Sequence, residues 1–375
     1  MTQDANLRVL MVDSEVTWRG GEGQVALLMR GLVEEGVRVA LCTPTGSAIA
    51  GRAEELGIEV LGLRMGAGVD ARAALTLGRY LREGSFDIVH CHTSHAHGIA
   101  WLALTLGGHG GKTRLSKPKL LVSRRVDFRV GRNPVSALKY RRGVDMYLAI
   151  STGVRRILVE SGVDEERITL VPSGIDLRKF DGIGDTAYLE KEFGLAGAAT
   201  VIGNVAALAP HKSQVDFIRA AGIIRQEIAG ARFFIVGEGE LRTALEALAK
   251  KLGLEGCITF TGFRRDVLGL LSLFDCFVLS SYLEGLCTSI MDAQALGIPV
   301  VATRTGGVPD LVEDGETGLL VEPRDPERLA SAVVRMLREG DLRSRCVLRA
   351  KQKAETYDYR RMVRGTLDAY RRILT

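Results

Sequence analysis

The chain has 375 residues, of which 46% are hydrophobic and 25% charged, with a formal net charge of +5. That length exceeds one ordinary core, so two domains are expected. No apolar run approaches the roughly 20 residues of a membrane span, and the nearest, Gly98–Leu106, is too short.

From the start, Leu7–Asp13 reads as a first strand and not as a signal peptide, which points to a cytoplasmic protein. Short apolar strands and amphipathic helices then alternate. Strands are expected near 8–12, 37–42, 59–61, 87–91, 119–123 and 146–150, with helical patterns between them such as 23–35 and 71–82. The scheme repeats at 200–204, 232–236, 257–261, 276–279, 299–303 and 318–321. Repeated βα alternation predicts an α/β fold of two doubly wound parallel sheets, with ligands at the carboxyl ends of the strands. The break falls near Val171–Asp176. This gives a first domain over 1–175 and a second over 176–356, with a last helix, 357–375, returning to the first. The six cysteines lack paired spacing and read as buried free thiols, not disulfides or zinc ligands.

Several loops at strand ends carry polar chemistry. Trp18–Gln24 opens the first helix with glycines at 20, 21 and 23, which suits either a close backbone approach to a ligand or a plain turn. It lacks the full spacing of a dinucleotide fingerprint. Asp87–His97 holds four of the six histidines. A metal site is one reading, but no paired Glu or Cys completes a ligand set. A strand end lining a cleft, with one or two histidines bonding a polar substrate, fits better, and His90 also fits a satisfied core position. Lys212 follows the first strand of the second half and is expected to open its first helix, and Gly306-Gly307 follow the strand at 299–303. Glu284 closes a loop and Asp292 sits one turn inside the next helix, for which Thr288 and Ser289 read as start residues and Gly297 as the stop. A helix N-terminus attracts anions, so an acid on either side of it suits a phosphate flanked by hydroxyl-rich groups.

Charge is unevenly spread. The segment 112–142 carries +10 and the remainder −5. Such a block is a docking surface for something anionic or a solvated loop. Arg124, Arg125 and Arg129 follow a strand within it and suit either a phosphorylated acceptor or the anionic inner face of a membrane. No recognised module accompanies the charge, so nucleic acid is not an expected partner.

In order and spacing, Gly20–Gln24, Asp145–Val154, Val171–Asp176, Phe233–Gly239, Gly262–Asp266, the Glu284/Asp292 pair, Gly297–Thr303 and Gly306-Gly307 resemble the family-four retaining glycosyltransferases, also called group 1. The resemblance spans nearly the whole chain. It implies the GT-B fold, two Rossmann-like domains facing a cleft, and transfer from a nucleotide-diphosphate sugar with retention. The acceptor would be a glycan, a phosphorylated sugar or a lipid-linked sugar, in surface-glycan synthesis such as lipopolysaccharide core. Glu284 would meet the donor sugar and Asp292 the ribose. Lys212, Gly306, Gly307 and the amides at Cys287 and Thr288 would hold the diphosphate, and the backbone at Phe263 would meet the base. Gly21 and His92 would lie on the acceptor side, near phosphate and acceptor. No cofactor is implied. No Asp-x-Asp motif appears, so no metal is expected either.

Three positions depart from the family pattern: Asp292 where Glu is usual, Ala207 where Arg is usual, and Ser173 where Asn is common. Ala207 removes one diphosphate cation, for which His211, Arg264 or Arg265 are candidate replacements. These departures keep open a non-catalytic nucleotide-sugar-binding role. Paired doubly wound domains also raise a nicotinamide-dependent oxidoreductase, against which the incomplete glycine fingerprint argues.

Overall fold

The computed structural model describes residues 6–18, 20–66, 70–106, 117–126, 134–195 and 200–375. The chain forms two compact units, one of residues 1–174 with 359–375 and the other of residues 175–358.

The first unit is built on a seven-stranded sheet. Its strands are β1 (Arg8–Val12), β2 (Arg38–Thr43), β3 (Glu59–Gly62), β4 (Ile88–Cys91), β5 (Lys119–Arg124), β6 (Met146–Ala149) and β7 (Ile168–Leu170). They are parallel throughout, in the order β3-β2-β1-β4-β5-β6-β7. Strands β4 and β6 are buried along their whole length, as expected when both faces of a parallel sheet are covered. β7 is not among the strands expected from sequence. Its three residues, Ile-Thr-Leu, are too short a run to show a period.

Helix Gly20–Glu34 starts three residues before its expected position, so the glycines at 20, 21 and 23 lie in its first turns. The final helix, Tyr359–Leu374, buries Tyr359, Met362, Val363, Thr366, Leu367 and Tyr370, a stripe at helical spacing. It packs on helix Gly20–Glu34 at Gly31, where a β-carbon would come within 2.3 Å of Val363 Cγ2. Only glycine admits that approach.

The second unit has six parallel strands: β8 (Val201–Val205), β9 (Arg232–Val236), β10 (Ile258–Gly262), β11 (Cys276–Leu279), β12 (Val300–Thr303) and β13 (Leu319–Val321). Their order is β10-β9-β8-β11-β12-β13. Phe217, Ile218, Phe233, Ile235, Val301, Val333 and Met336 contribute to its core. All six cysteines are buried free thiols. Among the described residues, no helix is long and apolar enough to cross a membrane.

Candidate active site

Each sheet reverses its strand order once, between β1 and β4 in the first unit and between β8 and β11 in the second. Crevices outside the carboxyl ends of strands at such reversals are the usual ligand positions of open α/β sheets.

In the second unit, the loops after β8, β11 and β12 are tied to one another there. Lys212 ends a 3₁₀ turn, Pro210–Lys212, and does not open the long helix, which starts at Gln214. Its carbonyl accepts from Ser280 Oγ at 3.0 Å, and the His211 carbonyl accepts from the Tyr282 amide at 2.9 Å. Lys212 Nζ lies 2.5 Å from Glu284 Oε1, which also accepts from Ser281 Oγ at 3.2 Å. The Gly307 amide donates to the Glu284 carbonyl at 3.2 Å, while Thr305 Oγ1 donates to the Tyr282 carbonyl at 2.9 Å. Gly306 takes φ +51°, which turns the chain after β12 back toward Glu284. Lys212, Glu284 and the glycine pair therefore share one connected edge.

Helix Thr288–Leu296 starts at the same edge. Its N-cap is Cys287, which gives no side-chain cap, so Thr288 and Ser289 lie inside the first turn and are not the cap expected from their type. The Ile290 amide donates to the Cys287 carbonyl at 3.2 Å, and the helix start at Thr288 is the end whose partial positive charge favours an anion. Burial pushes the Cys287 thiol up to about 12, so it stays neutral beside that anion-seeking end. Gly297 ends the helix in the left-handed conformation. Asp292 lies four residues beyond Thr288, on the same face one turn further on. Burial raises its carboxyl, and an ion pair of 2.6 Å from Lys179 Nζ to Oδ1 opposes that rise.

Phe263, just beyond β10, is 62% exposed. Arg264 does not replace the cation absent at Ala207. It is committed to Glu192 and Asp266 at 2.7–3.0 Å, and those bonds hold its guanidinium firmly charged where it is. The Ala207 carbonyl instead accepts from Gln214 Nε2 at 2.9 Å.

In the first unit, Asp13 follows β1, His92 follows β4 and Arg125 follows β5, all three adjacent in the sheet. Asp13 Oδ2, both His92 ring nitrogens, and Arg125 Nε and one terminal nitrogen are buried with no hydrogen-bond partner. Burial raises Asp13 to about 6, with Glu22 adding to the rise and Arg125 opposing it. Gly21 lies in the first turn of helix Gly20–Glu34, with open space where a β-carbon would sit.

His90 is a satisfied core residue, bonded to Tyr370 Oη at 2.7 Å and Ser123 Oγ at 2.8 Å. Arg124 is 6% exposed, bonds Tyr140 Oη at 3.2 Å and lies over that ring. Arg124 and the buried nitrogens of Arg125 thus do not present charge to a membrane plane, which corrects the membrane role considered for them. Arg129 and much of the basic segment lie outside the described residues. Among the described residues, no group of three His, Cys, Asp or Glu side chains could hold a metal ion.

Sequence reasoning missed Lys179, Asp13 and Ser281. Asp13 had a usable signal, since it is the first residue beyond a central strand. Lys179 had none, because its partner is 113 residues away.

The buried imidazoles set a pH dependence. Desolvation holds His90, His92 and His97 well below the usual histidine value. The unfolded chain therefore takes up protons below about pH 6.5 that the folded unit refuses, each costing about 1.4 kcal/mol per pH unit. Asp13 works the other way. Its raised carboxyl takes up a proton on folding between about pH 4 and 6, which returns part of one histidine's loss. We expect the unfolding free energy to drop by about 3 kcal/mol from pH 7.5 to 5.5. Denaturant melts that are flat across this range would contradict the burial of these rings.

Residues 18–179 match the model of Glycosyltransferase Family 4, and residues 187–353 match that of Glycosyl transferases group 1. An Escherichia coli UDP-Gal:alpha-D-GlcNAc-diphosphoundecaprenol alpha-1,3-galactosyltransferase is 29% identical, covering 71% of this chain and 70% of its own. A D-inositol 3-phosphate glycosyltransferase from Corynebacterium urealyticum is 27% identical over 91% of this chain and 82% of its own. The fold also matches the crystal structure of Anabaena Alr3699/HepE in complex with UDP and glucose, with a TM-score of 0.84 and 19% identity over 97% and 99% of the two chains. With two Rossmann-like parallel sheets and both halves matched in order, the chain belongs to the family-four, group 1 glycosyltransferases of the GT-B fold.

Proposed function

We propose that this glycosyltransferase moves a sugar from a nucleotide-diphosphate donor, with retention, onto a hydroxyl of a glycan or lipid-linked acceptor in surface-glycan assembly, lipopolysaccharide core being one such product. The observation that carries the donor half is the edge uniting Lys212, Glu284, Gly307 and the start of helix Thr288–Leu296 at the β8/β11 reversal. A diphosphate there meets an ammonium, the Gly306 amide and a helix N-terminus, which stabilise the charge that grows on it as the sugar departs. Glu284 is fixed by Lys212 and Ser281 where it can accept from sugar hydroxyls. Asp292 lies one turn deeper in the same helix, where its carboxylate would accept from the ribose hydroxyls.

On this reading, the leaving phosphate takes the acceptor hydroxyl's proton on the face it leaves, so no second carboxylate pair is needed. The cationic work falls to Lys212 and backbone amides, which makes the transfer metal-independent. At the first unit's strand edge, His92, Asp13 and Arg125 offer buried, uncommitted polar atoms for an acceptor. The lipid-linked acceptor in the name of the Escherichia coli relative supports that class, and a peripheral position at a membrane would follow from it.

Thermal unfolding against a panel of nucleoside diphosphates tests the donor reading. One of them at about 100 times its dissociation constant should add about 2.7 kcal/mol. The same nucleotide's sugar should then support transfer in EDTA, with the anomeric configuration of the product unchanged by NMR. Stabilisation by NAD instead would overturn the reading.

A further inference from the structure

We propose that Lys179 is a donor-contacting residue, and that Lys179 and Asp292 together form one recognition unit for the vicinal diol of the nucleotide's ribose. The inference rests on the donor reading above and adds to it a residue from outside the family's motifs.

Three features of the second unit carry it. The first is occupancy. Lys179 Nζ holds Asp292 Oδ1 at 2.6 Å, and among the described residues no group bonds Oδ2. One carboxylate oxygen and two ammonium protons therefore remain for a ligand. The second is chemistry. Each hydroxyl of a vicinal diol both donates and accepts, whereas a carboxylate alone only accepts. A carboxylate with an ammonium beside it offers both functions, and the side chains are 18% and 32% exposed, open to a ligand yet shielded enough to strengthen the contact. The third is placement. Asp292 sits one turn, about 5 Å, beyond the amides at the start of its helix, so a group on those amides and a ribose at Asp292 belong to one nucleotide.

Lys179 is not a loose surface cation. It comes from the 3₁₀ turn Leu177–Phe180, whose first residues are fixed by Asp176: its carboxylate accepts from the Arg178 amide at 3.2 Å and its carbonyl from the Lys179 amide at 3.1 Å. The Phe180 ring lies 5.1 Å from Nζ, which helps hold the ammonium in place.

A purely structural ion pair would stabilise the fold without reading the ribose. Binding of UDP and GDP and of their 2′-deoxy counterparts, measured by calorimetry on the full chain, separates the two. The wild type should bind the better ribonucleotide about tenfold more tightly than its deoxy form. Lys179→Met should lose about that factor for the ribonucleotide while its deoxy affinity stays within about twofold. Asp292→Asn, which keeps the shape, should likewise erase the discrimination. Equal losses for both nucleotides, or unchanged discrimination in Lys179→Met at wild-type thermal stability, would overturn the inference while leaving the donor reading in place. If the wild type binds none of the four, the donor reading itself fails and the inference falls with it.

Discussion

Lys212→Ala should lower kcat/KM for transfer by 10²–10³, and Glu284→Gln by a similar factor, with opposite consequences for nucleotide binding. The expectation follows from what each side chain can offer a departing diphosphate. Lys212 is a compact positive charge, 19% exposed, held 2.5 Å from Glu284 by a loop pinned through its own carbonyl. Loss of one preorganised donor at a developing negative charge costs about 3–4 kcal/mol of barrier. Lys212→Ala should therefore weaken nucleoside diphosphate binding as well as transfer. Glu284→Gln removes a negative charge beside the diphosphate site, so nucleotide affinity should hold or rise while transfer collapses.

Stability supplies an internal control. Glu284 is 6% exposed, and Lys212→Ala takes away its ammonium partner, which should cost about 1–3 kcal/mol of unfolding free energy. A Lys212→Met, Glu284→Gln double variant removes both charges and should regain most of that stability without regaining transfer. Single variants that turn over at wild-type rates would disprove the assignment of this edge as the reacting centre. Variants that bind nucleotide normally and never transfer, in a wild type that also never transfers, would favour a nucleotide-sugar-binding role.

Much of this edge is visible in the sequence because its parts are local. Glu284, the start of helix Thr288–Leu296 and Gly306-Gly307 lie within 24 positions of one another, in the loops that follow the apolar runs at 276–279 and 299–302, and strand–loop–helix patterning alone places them at carboxyl ends. The parallel-sheet class was equally legible, since buried runs such as Cys276–Leu279 alternate with helical stripes. What sequence does not carry is who faces whom. Arg124 sits in a block of like charge that reads as surface, yet it is buried because Tyr140, sixteen positions on, covers it. Lys179 is one cation in a polar turn until the fold sets it against Asp292. Thr and Ser favour caps, so Thr288 and Ser289 read as the start of helix Thr288–Leu296, whereas the extended residue before it is Cys287.

Gly237→Ala should destabilise the second unit by about 3–5 kcal/mol and lower its melting temperature by on the order of 10 °C. Gly237 follows β9 with φ +137°, a conformation that L side chains rarely adopt. Its amide donates to the Gly262 carbonyl at 3.1 Å, so the backbone cannot rotate away without breaking that bond. A β-carbon would lie 2.1 Å from the Ala206 carbonyl oxygen, an overlap with main chain and not with a side chain that could turn aside. The same loop is anchored again where the Ala206 amide donates to the Val236 carbonyl at 3.0 Å and the Leu208 amide to the Glu238 carbonyl at 2.8 Å. Relief of the clash must therefore move residues 206–208, which lead directly to Lys212, and transfer should fall together with stability. Gly222→Ala provides the contrast. Gly222 lies inside helix Gln214–Glu227, and its β-carbon would meet only Leu254 Cδ1, at an ordinary 3.9 Å. That change should add about 0.5–1 kcal/mol through helix propensity and leave transfer unaltered. Calorimetric melts showing Gly237→Ala within 2 °C of wild type would mean that the loop before Lys212 yields freely, and the fixed placement of that lysine would have to be abandoned.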